Sequence, residues 1–439
     1  MRYDLAKSGN GLTYEIRGIV EVAKLLEQKG IEICYENIGD PVAKGEKIPA
    51  WMKDTIADIV KTNDLSFAYC STKGDEDVRE YLAAKTNARG GAQITKNDII
   101  FFNGLGDAIA RAYSSIRVDA RIMLPEPTYS THLLAEVLHA SYPPNTYRMN
   151  PYDNWRPDLN ELERKVRSSN SIVGILVINP DNPTGYVHTE EDLRKIVAIA
   201  KEYELMLIFD EIYLNMLFNG KETVALADII GDVPGISMKG ISKEYPWPGA
   251  RCGWIEVYNA DKDEAFARFI NAIFNQKMSE VCSTTLPQLS IPLIMEHEEY
   301  QGYLSERLKH YENLSNIAYN ILKDCPYVVV NRSNGAFYMS VVFNEAVLSD
   351  QQKLSIELND VRDIVEDLTN GSRMENDKRF VYYLLGATGI CVVPLTSFFT
   401  STPGFRMTLL EKDVDKFENT VKTIKAKIVE YVESSKCPA

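Results

Sequence analysis

The chain has 439 residues, 45% hydrophobic and 25% charged, with a formal net charge of -14. That length accommodates two domains or one large domain with a smaller companion, and the composition is that of an ordinary soluble globular protein. The acid excess argues against nucleic acid or an anionic membrane as the main partner, because phosphate-rich surfaces require clustered Lys and Arg.

The amino terminus, MRYDLAKSGNGLTYEIRG, has no apolar leader core, and the longest aliphatic runs, such as IVGILVI from Ile172, are too short to cross a bilayer. A chain with no membrane span and no leader is expected. The pattern predicts a first helix from Tyr14 to about Lys29, with Gly30 as its stop. From about Asp98 to Tyr258 short apolar runs alternate with helix-period segments: DIIFF, RIMLP, IVGILVIN, LMLIFD and CGWIEVY, separated by stretches such as TEEDLRKIVAIAKEYE. In that last segment Thr189 is a candidate N-cap, and Leu193, Ile196, Val197 and Ala200 share one face.

After about Gln288 the pattern changes to a long helical region, roughly Leu289 to Leu322, then short strands VVVN and AFYMSVVF and a final helix beyond Glu411. Between Asn344 and Lys378 a charged stretch that includes SIELNDVRDIVEDL reads as a surface helical insertion. The fold class expected is α/β: a large domain over 46–288 with a mostly parallel sheet covered by helices on both faces, plus a smaller α+β domain formed by 1–45 and 289–439. Cysteines stand at Cys34, Cys70, Cys252, Cys282, Cys325, Cys391 and Cys437, an odd total with no CxxC pair. Neither a metal site nor a disulfide framework follows, and reduced thiols in a cytoplasm fit.

Ligands of such sheets bind at the carboxyl ends of the strands. After IVGILVIN comes NPDNPTG, a stiff turn that leaves Asn182 little freedom; it can also be read as a plain loop of turn-forming residues. LMLIFDEIY ends a strand on Asp210, with Tyr213 three residues on; a buried carboxylate there needs a cationic partner, and a helix N-cap is the other reading. GISKEYPWPGARCGW sets Lys243 among two prolines, three glycines and two tryptophans. A solvated surface lysine needs no such scaffold. A lysine, a carboxylate, an asparagine and a phenol facing one crevice would match the needs of pyridoxal phosphate: an imine partner for its aldehyde, an anion at its pyridine nitrogen and donors at its phenolic oxygen.

Over nearly the whole chain these residues resemble the class I/II branch of the aspartate-aminotransferase superfamily, the fold type I pyridoxal-phosphate enzymes. The resemblance implies that Lys243 forms the imine, Asp210 partners the pyridinium, Asn182 and Tyr213 bind the phenolic oxygen, and Arg251 binds the phosphate. NGLGDAI resembles the family's phosphate-cradling turn, which would use the amides of Leu105 and Gly106. In PTYSTH, Tyr129 stands for the stacking ring and His132 for the residue that orients the aspartate. Tyr69 matches the tyrosine that reaches a neighbouring subunit's phosphate, which implies a homodimer, while Arg406 and Gly39 match the substrate α-carboxylate site. The implied reaction moves an amino group from an L-amino acid to a 2-oxo acid such as 2-oxoglutarate. The chain departs from the family at Pro246, Trp247 and Cys252, and Gly240 lacks a serine hydroxyl found in some members. No arginine occurs between Arg268 and Arg307, and Lys277 is the only cation in FNQKMSEVCSTTLPQ, which favours alanine-like or aromatic donors over aspartate. A carbon–sulfur β-lyase of the same fold would use the same residues, and a catalytically idle regulator built on this fold is the remote alternative.

Overall fold

The computed structural model describes residues 15–370 and 374–435. Its central feature is an eight-stranded sheet whose order, from one edge, is Ile99–Phe102, Gly253–Tyr258, Gly235–Gly240, Met206–Asp210, Ile172–Ile178, Arg121–Glu126, Asn145–Asn150 and Arg156–Pro157. The strands from Gly235–Gly240 through Asn145–Asn150 pair in parallel. Gly253–Tyr258 runs against both of its neighbours, and the Arg156–Pro157 edge is also antiparallel. Side chains alternate between the faces of a strand, so these apolar runs supply two cores at once. Ile175, Val177, Leu207 and Phe209 join Leu193 and Ile196 of the helix Glu190–Glu202 on one face. Leu176, Ile178, Ile208 and Ile236 join Ile109 and Tyr113 of the helix Leu105–Ser114 on the other. The expected α/β class is the observed one, and Thr189 caps its helix by accepting from the Asp192 amide.

A second core surrounds a four-stranded sheet of Val328–Val330, Tyr338–Phe343, Gly404–Thr408 and Val393–Pro394, all antiparallel. Helices Glu15–Glu27, Tyr300–Leu322, Asn376–Thr388 and Val414–Glu433 contribute to it. A two-residue parallel pairing, Cys34↔Ile390 and Tyr35↔Cys391, ties the chain's first third to its last.

Two expectations change. The long helical region expected over roughly Leu289 to Leu322 is divided into two helices, Thr285–Met295 and Tyr300–Leu322. Distant contacts hold the break between them: Trp51 stacks on His297 with ring centroids 4.3 Å apart, and Lys85 and Tyr81 both bind Glu296. No local signal in the apolar period marks it. The stretch read as a surface insertion does contain a helix, Asn359–Thr369, but Val361, Val365, Leu354 and Ile356 are buried in the second core. Its charges lie on one face and its aliphatic residues on the other.

Candidate active site

The strand Gly235–Gly240 delivers the lysine. A Cβ on Gly240 would lie 3.0 Å from the Cys252 carbonyl oxygen and 3.2 Å from Gly253 Cα, so a serine there would crowd the adjoining chain. Three residues on, Lys243 Nζ donates to the Gly39 carbonyl (2.7 Å) and lies 5.5 Å from the centroid of the Phe337 ring. The lysine's backbone is gripped from behind. Arg307, buried on the helix Tyr300–Leu322, donates to the carbonyls of Lys243 (3.1 Å) and Glu244, and its Nε pairs with Glu46 at 2.6 Å. Glu46 also accepts from Tyr303 (2.7 Å), Tyr311 (3.0 Å) and Lys412 (3.1 Å). Burial alone would raise the Glu46 carboxyl, but Arg307 and Lys412 outweigh it and hold it below its ordinary value. The departures Pro246 and Trp247 line a largely apolar pocket together with Val42, Ile48, Met52 and Ile56.

The next strand, Met206–Asp210, ends on a carboxylate that is 3% exposed. Asp210 Oδ2 lies 3.1 Å from His132 Nε2, and His132 Nδ1 lies 3.3 Å from the Tyr113 hydroxyl. With the phenol donating to Nδ1, the ring proton sits on Nε2 and is donated to the aspartate, so a neutral imidazole satisfies both contacts. Asp210 Oδ1 accepts from the Ile212 amide, but turns rather than a helix follow, which leaves the N-cap reading without its helix. The Tyr129 ring stands edge-on to His132, 6.4 Å between centroids.

At the other end, Gly104 opens the helix Leu105–Ser114 with φ +83, and a Cβ there would meet Arg251 Nη2 at 2.4 Å. The guanidinium therefore lies directly on the turn. Among the described residues none accepts from the amides of Leu105 and Gly106, which face out of the first helical turn. A guanidinium beside open amides at a helix start is the donor set that a phosphate dianion requires. With the buried Asp210–His132 pair and the lysine, these groups fit a cofactor carrying a phosphate, a basic ring nitrogen and an aldehyde.

The last cluster comes from the second sheet. Arg406, buried on Gly404–Thr408, donates to Asn182 Oδ1 (3.2 Å) and to the Asn37 carbonyl (2.7 Å). Its guanidinium packs on the rings of Tyr338 and Phe398, with Cζ 4.4 and 5.0 Å from their centroids. Tyr213 donates to the Tyr338 hydroxyl (3.2 Å), and burial pushes the Tyr213 phenol well above its usual range, with Tyr338, Tyr129 and Asp210 adding to the effect. Eleven sequence-selected residues belong to these clusters: Gly39, Tyr129, Asn182, Asp210, Tyr213, Lys243 and Arg251 at strand ends or in loops, Leu105, Gly106 and His132 in the first turns of two helices, and Arg406 within the strand Gly404–Thr408. Tyr69 is apart, 81% exposed in a short segment that also exposes Leu65 and Phe67. Lys277 is wholly buried and neutralised by Glu280 at 2.7 Å, so it supplies no free cation to a ligand. Sequence reasoning missed Tyr338, Phe337, Phe398 and Arg307. The strand containing Tyr338 was recognised, but only its pairing with Gly404–Thr408 shows which residue meets Arg406.

Among the described residues no cluster of His, Cys, Asp or Glu is arranged to hold a metal, and no helix is long and apolar enough to cross a membrane. The sequence pattern of the family described as Aminotransferase class I and II matches residues 37–424. An uncharacterized aminotransferase of Methanocaldococcus jannaschii is 55% identical over 96% of this chain and 97% of its own length. The glutamate-pyruvate aminotransferase AlaA of Escherichia coli is 29% identical over 78% of this chain and 84% of that protein. Among solved structures, the alanine aminotransferase of Pyrococcus furiosus superposes with a TM-score of 0.83 at 25% identity, covering 97% of this chain and 100% of the other.

Proposed function

Because the chain belongs to the class I and II aminotransferases, enzymes that use pyridoxal 5'-phosphate, we propose that it moves the amino group of an alanine-like or aromatic L-amino acid to 2-oxoglutarate at the site described above. What supports this reading is the way Tyr338 links the residues involved: it accepts from Tyr213, three residues after Asp210, packs on Arg406, which donates to Asn182, and meets Gly39, whose carbonyl accepts from Lys243. Among donors, alanine is favoured by the glutamate-pyruvate and alanine aminotransferases among the relatives, and by the neutralisation of Lys277.

In this reading Arg251 and the amides of Leu105 and Gly106 hold the phosphate, Tyr129 covers the ring, and Asn182 and Tyr213 donate to the phenolic oxygen. Asp210, oriented by His132, holds a proton on the pyridine nitrogen. When bound, the cofactor supplies an electron sink that makes a proton on the amino acid's α-carbon removable. Lys243 Nζ, released from the Gly39 carbonyl, takes that proton and delivers it to the acceptor carbon. Arg406 forks onto the substrate α-carboxylate, beside Gly39. The segments 1–45 and 289–439, as a domain closing on 46–288, would exclude water while the proton moves.

Assembly and location belong to the same proposal. Leu65, Phe67 and Tyr69 expose 69%, 76% and 81% of their surface in one short segment, which supports a homodimer with Tyr69 at the partner's site. The six described cysteines are free, which supports a reducing cytoplasm.

The test is the visible absorption of the cofactor-loaded protein. L-Alanine should bleach the band and 2-oxoglutarate restore it, and Lys243→Ala should abolish turnover. An active Lys243→Ala variant, or pyruvate and ammonia released from cystathionine without an acceptor and with no response to any amino acid, would overturn the assignment.

A further inference from the structure

We infer that Tyr338 is a positioning residue of this site, acting through Tyr213 and Arg406 at once, and that residue 39 is glycine to make room for its hydroxyl. Tyr338 opposes Thr408 in the sheet while Arg406 opposes Ser340, so the two are diagonal neighbours on one face, the arrangement that lets an aromatic ring and a long side chain meet. Arg406 Cζ lies 4.4 Å from the centroid of this ring and 5.0 Å from that of Phe398, so two aromatic faces restrain the guanidinium. Its plane is thereby fixed before any carboxylate arrives, which lowers the ordering cost of a bidentate contact.

The hydroxyl does separate work. It accepts from Tyr213 at 3.2 Å, and a Cβ built on Gly39 would lie 2.0 Å from it, 3.0 Å from Tyr338 Cζ. Gly39 is also the residue whose carbonyl receives the Lys243 amine. One side chain therefore touches the segment that holds the lysine, the phenol beside Asp210 and the arginine on the second sheet. When Tyr213 turns its proton toward an acceptor in the crevice, the pair reverses: Tyr338 donates to Tyr213, which makes Tyr213 the stronger donor. This inference rests on the proposed roles of Tyr213 and Arg406.

Four proteins test it: wild type, Tyr338→Phe, Gly39→Ala and the double variant, with Tyr338→Leu alongside. In the cofactor-free protein, Gly39→Ala should lower the urea midpoint, and Tyr338→Phe should restore part of that loss by removing the atom 2.0 Å away. In the loaded protein, Tyr338→Phe weakens donation at the phenolic oxygen, leaving more negative charge there to retain a neighbouring proton. The pH midpoint of the visible band should rise by about half a unit or more, a shift that lost packing alone does not produce. Tyr338→Leu frees the guanidinium, so KM for L-alanine should rise about tenfold while kcat falls less. Equal melting of Gly39→Ala and the double variant, or a Tyr338→Phe midpoint matching wild type, overturns the inference. Arg406→Lys and Lys243→Ala separate its failure from that of the wider reading: if these leave KM and the visible band unchanged the site assignment fails, and if they respond while Tyr338 is silent only the inference does.

Discussion

Replacing Arg307 with Met removes the buried cation that grips the lysine's backbone. Its Nε lies 2.6 Å from a Glu46 oxygen, and it donates to two main-chain carbonyls and to the Tyr311 hydroxyl. Breaking a buried ion pair from one side costs about 3–5 kcal/mol. Here Glu46 keeps Lys412, Tyr303 and Tyr311, which places the expected loss near the lower end, about 3 kcal/mol. Urea denaturation of the cofactor-free protein at neutral pH reads this as a fall in midpoint with an unchanged slope. Glu46→Gln in the Arg307→Met background should recover about 1–2 kcal/mol, because no carboxylate is then left short of its partner. Glu46 adds a pH signature: its folded-state pKa lies below the ordinary 4.5, so its stabilisation is present above that value and is lost as pH falls through the lower one. Wild type should therefore lose stability on acidification more steeply than Glu46→Gln. Turnover should fall with Arg307→Met too, because a displacement of Lys243 by an ångström costs about 100-fold in rate. A destabilisation under about 1 kcal/mol, with no coupling to Glu46, would refute the clamp.

Arg251→Gln should weaken cofactor binding by about 10- to 100-fold in spectrophotometric titration, the worth of one charge-assisted contact. Gly104→Ala should weaken binding as well and cost at least about 1 kcal/mol in urea, since φ is +83 and the new methyl meets the Arg251 guanidinium. Asp181, buried and one residue from Asn182, is pushed up to about 7 by its burial, with Asp210 adding to the effect. A raised carboxyl stabilises the fold below its unfolded value of 3.8, and that contribution disappears as pH rises through about 7, so Asp181→Asn should flatten the stability profile between these limits. Phe67→Ser should shift the sedimentation of the protein towards monomer at micromolar concentration, and an unchanged assembly would place the dimer surface elsewhere.

Five of the eight strands of the large sheet were legible because they are short, apolar and separated by helix-period segments, whereas Asn145–Asn150, Arg156–Pro157 and Gly235–Gly240 carry no such apolar run. The polar groups of the site were legible as motifs, since Asn182, Asp210, Lys243 and Arg251 each follow or flank a strand whose end faces the crevice. Tyr338, Phe398 and Arg307 were not. Tyr338 and Arg307 each meet a site residue far away in the chain, with Arg307 sixty-four positions from Lys243, while Phe398, close to Arg406 in sequence, meets it only through the turn between them; nothing local distinguishes such contact residues from core aromatics or a helix-surface arginine. The break after Met295 was hidden for the same reason, as Trp51 and Lys85 hold it from outside the helix. Local spacing reported where the backbone goes and left unreported what it meets.

The pairing of Cys34 and Tyr35 with Ile390 and Cys391 bears on biosynthesis. Apart from Tyr69, proposed to come from a second copy, every group assigned to the phosphate and the ring lies between Leu105 and Arg251, so that half of the crevice can form while the ribosome is still translating the rest. The Asn37–Gly39 segment emerges early, yet its flanking strand has no partner until Ile390 is made, and Arg406 follows later still. A nascent or truncated chain ending before Ile390 would therefore be able to capture the cofactor while having nothing with which to bind an amino acid.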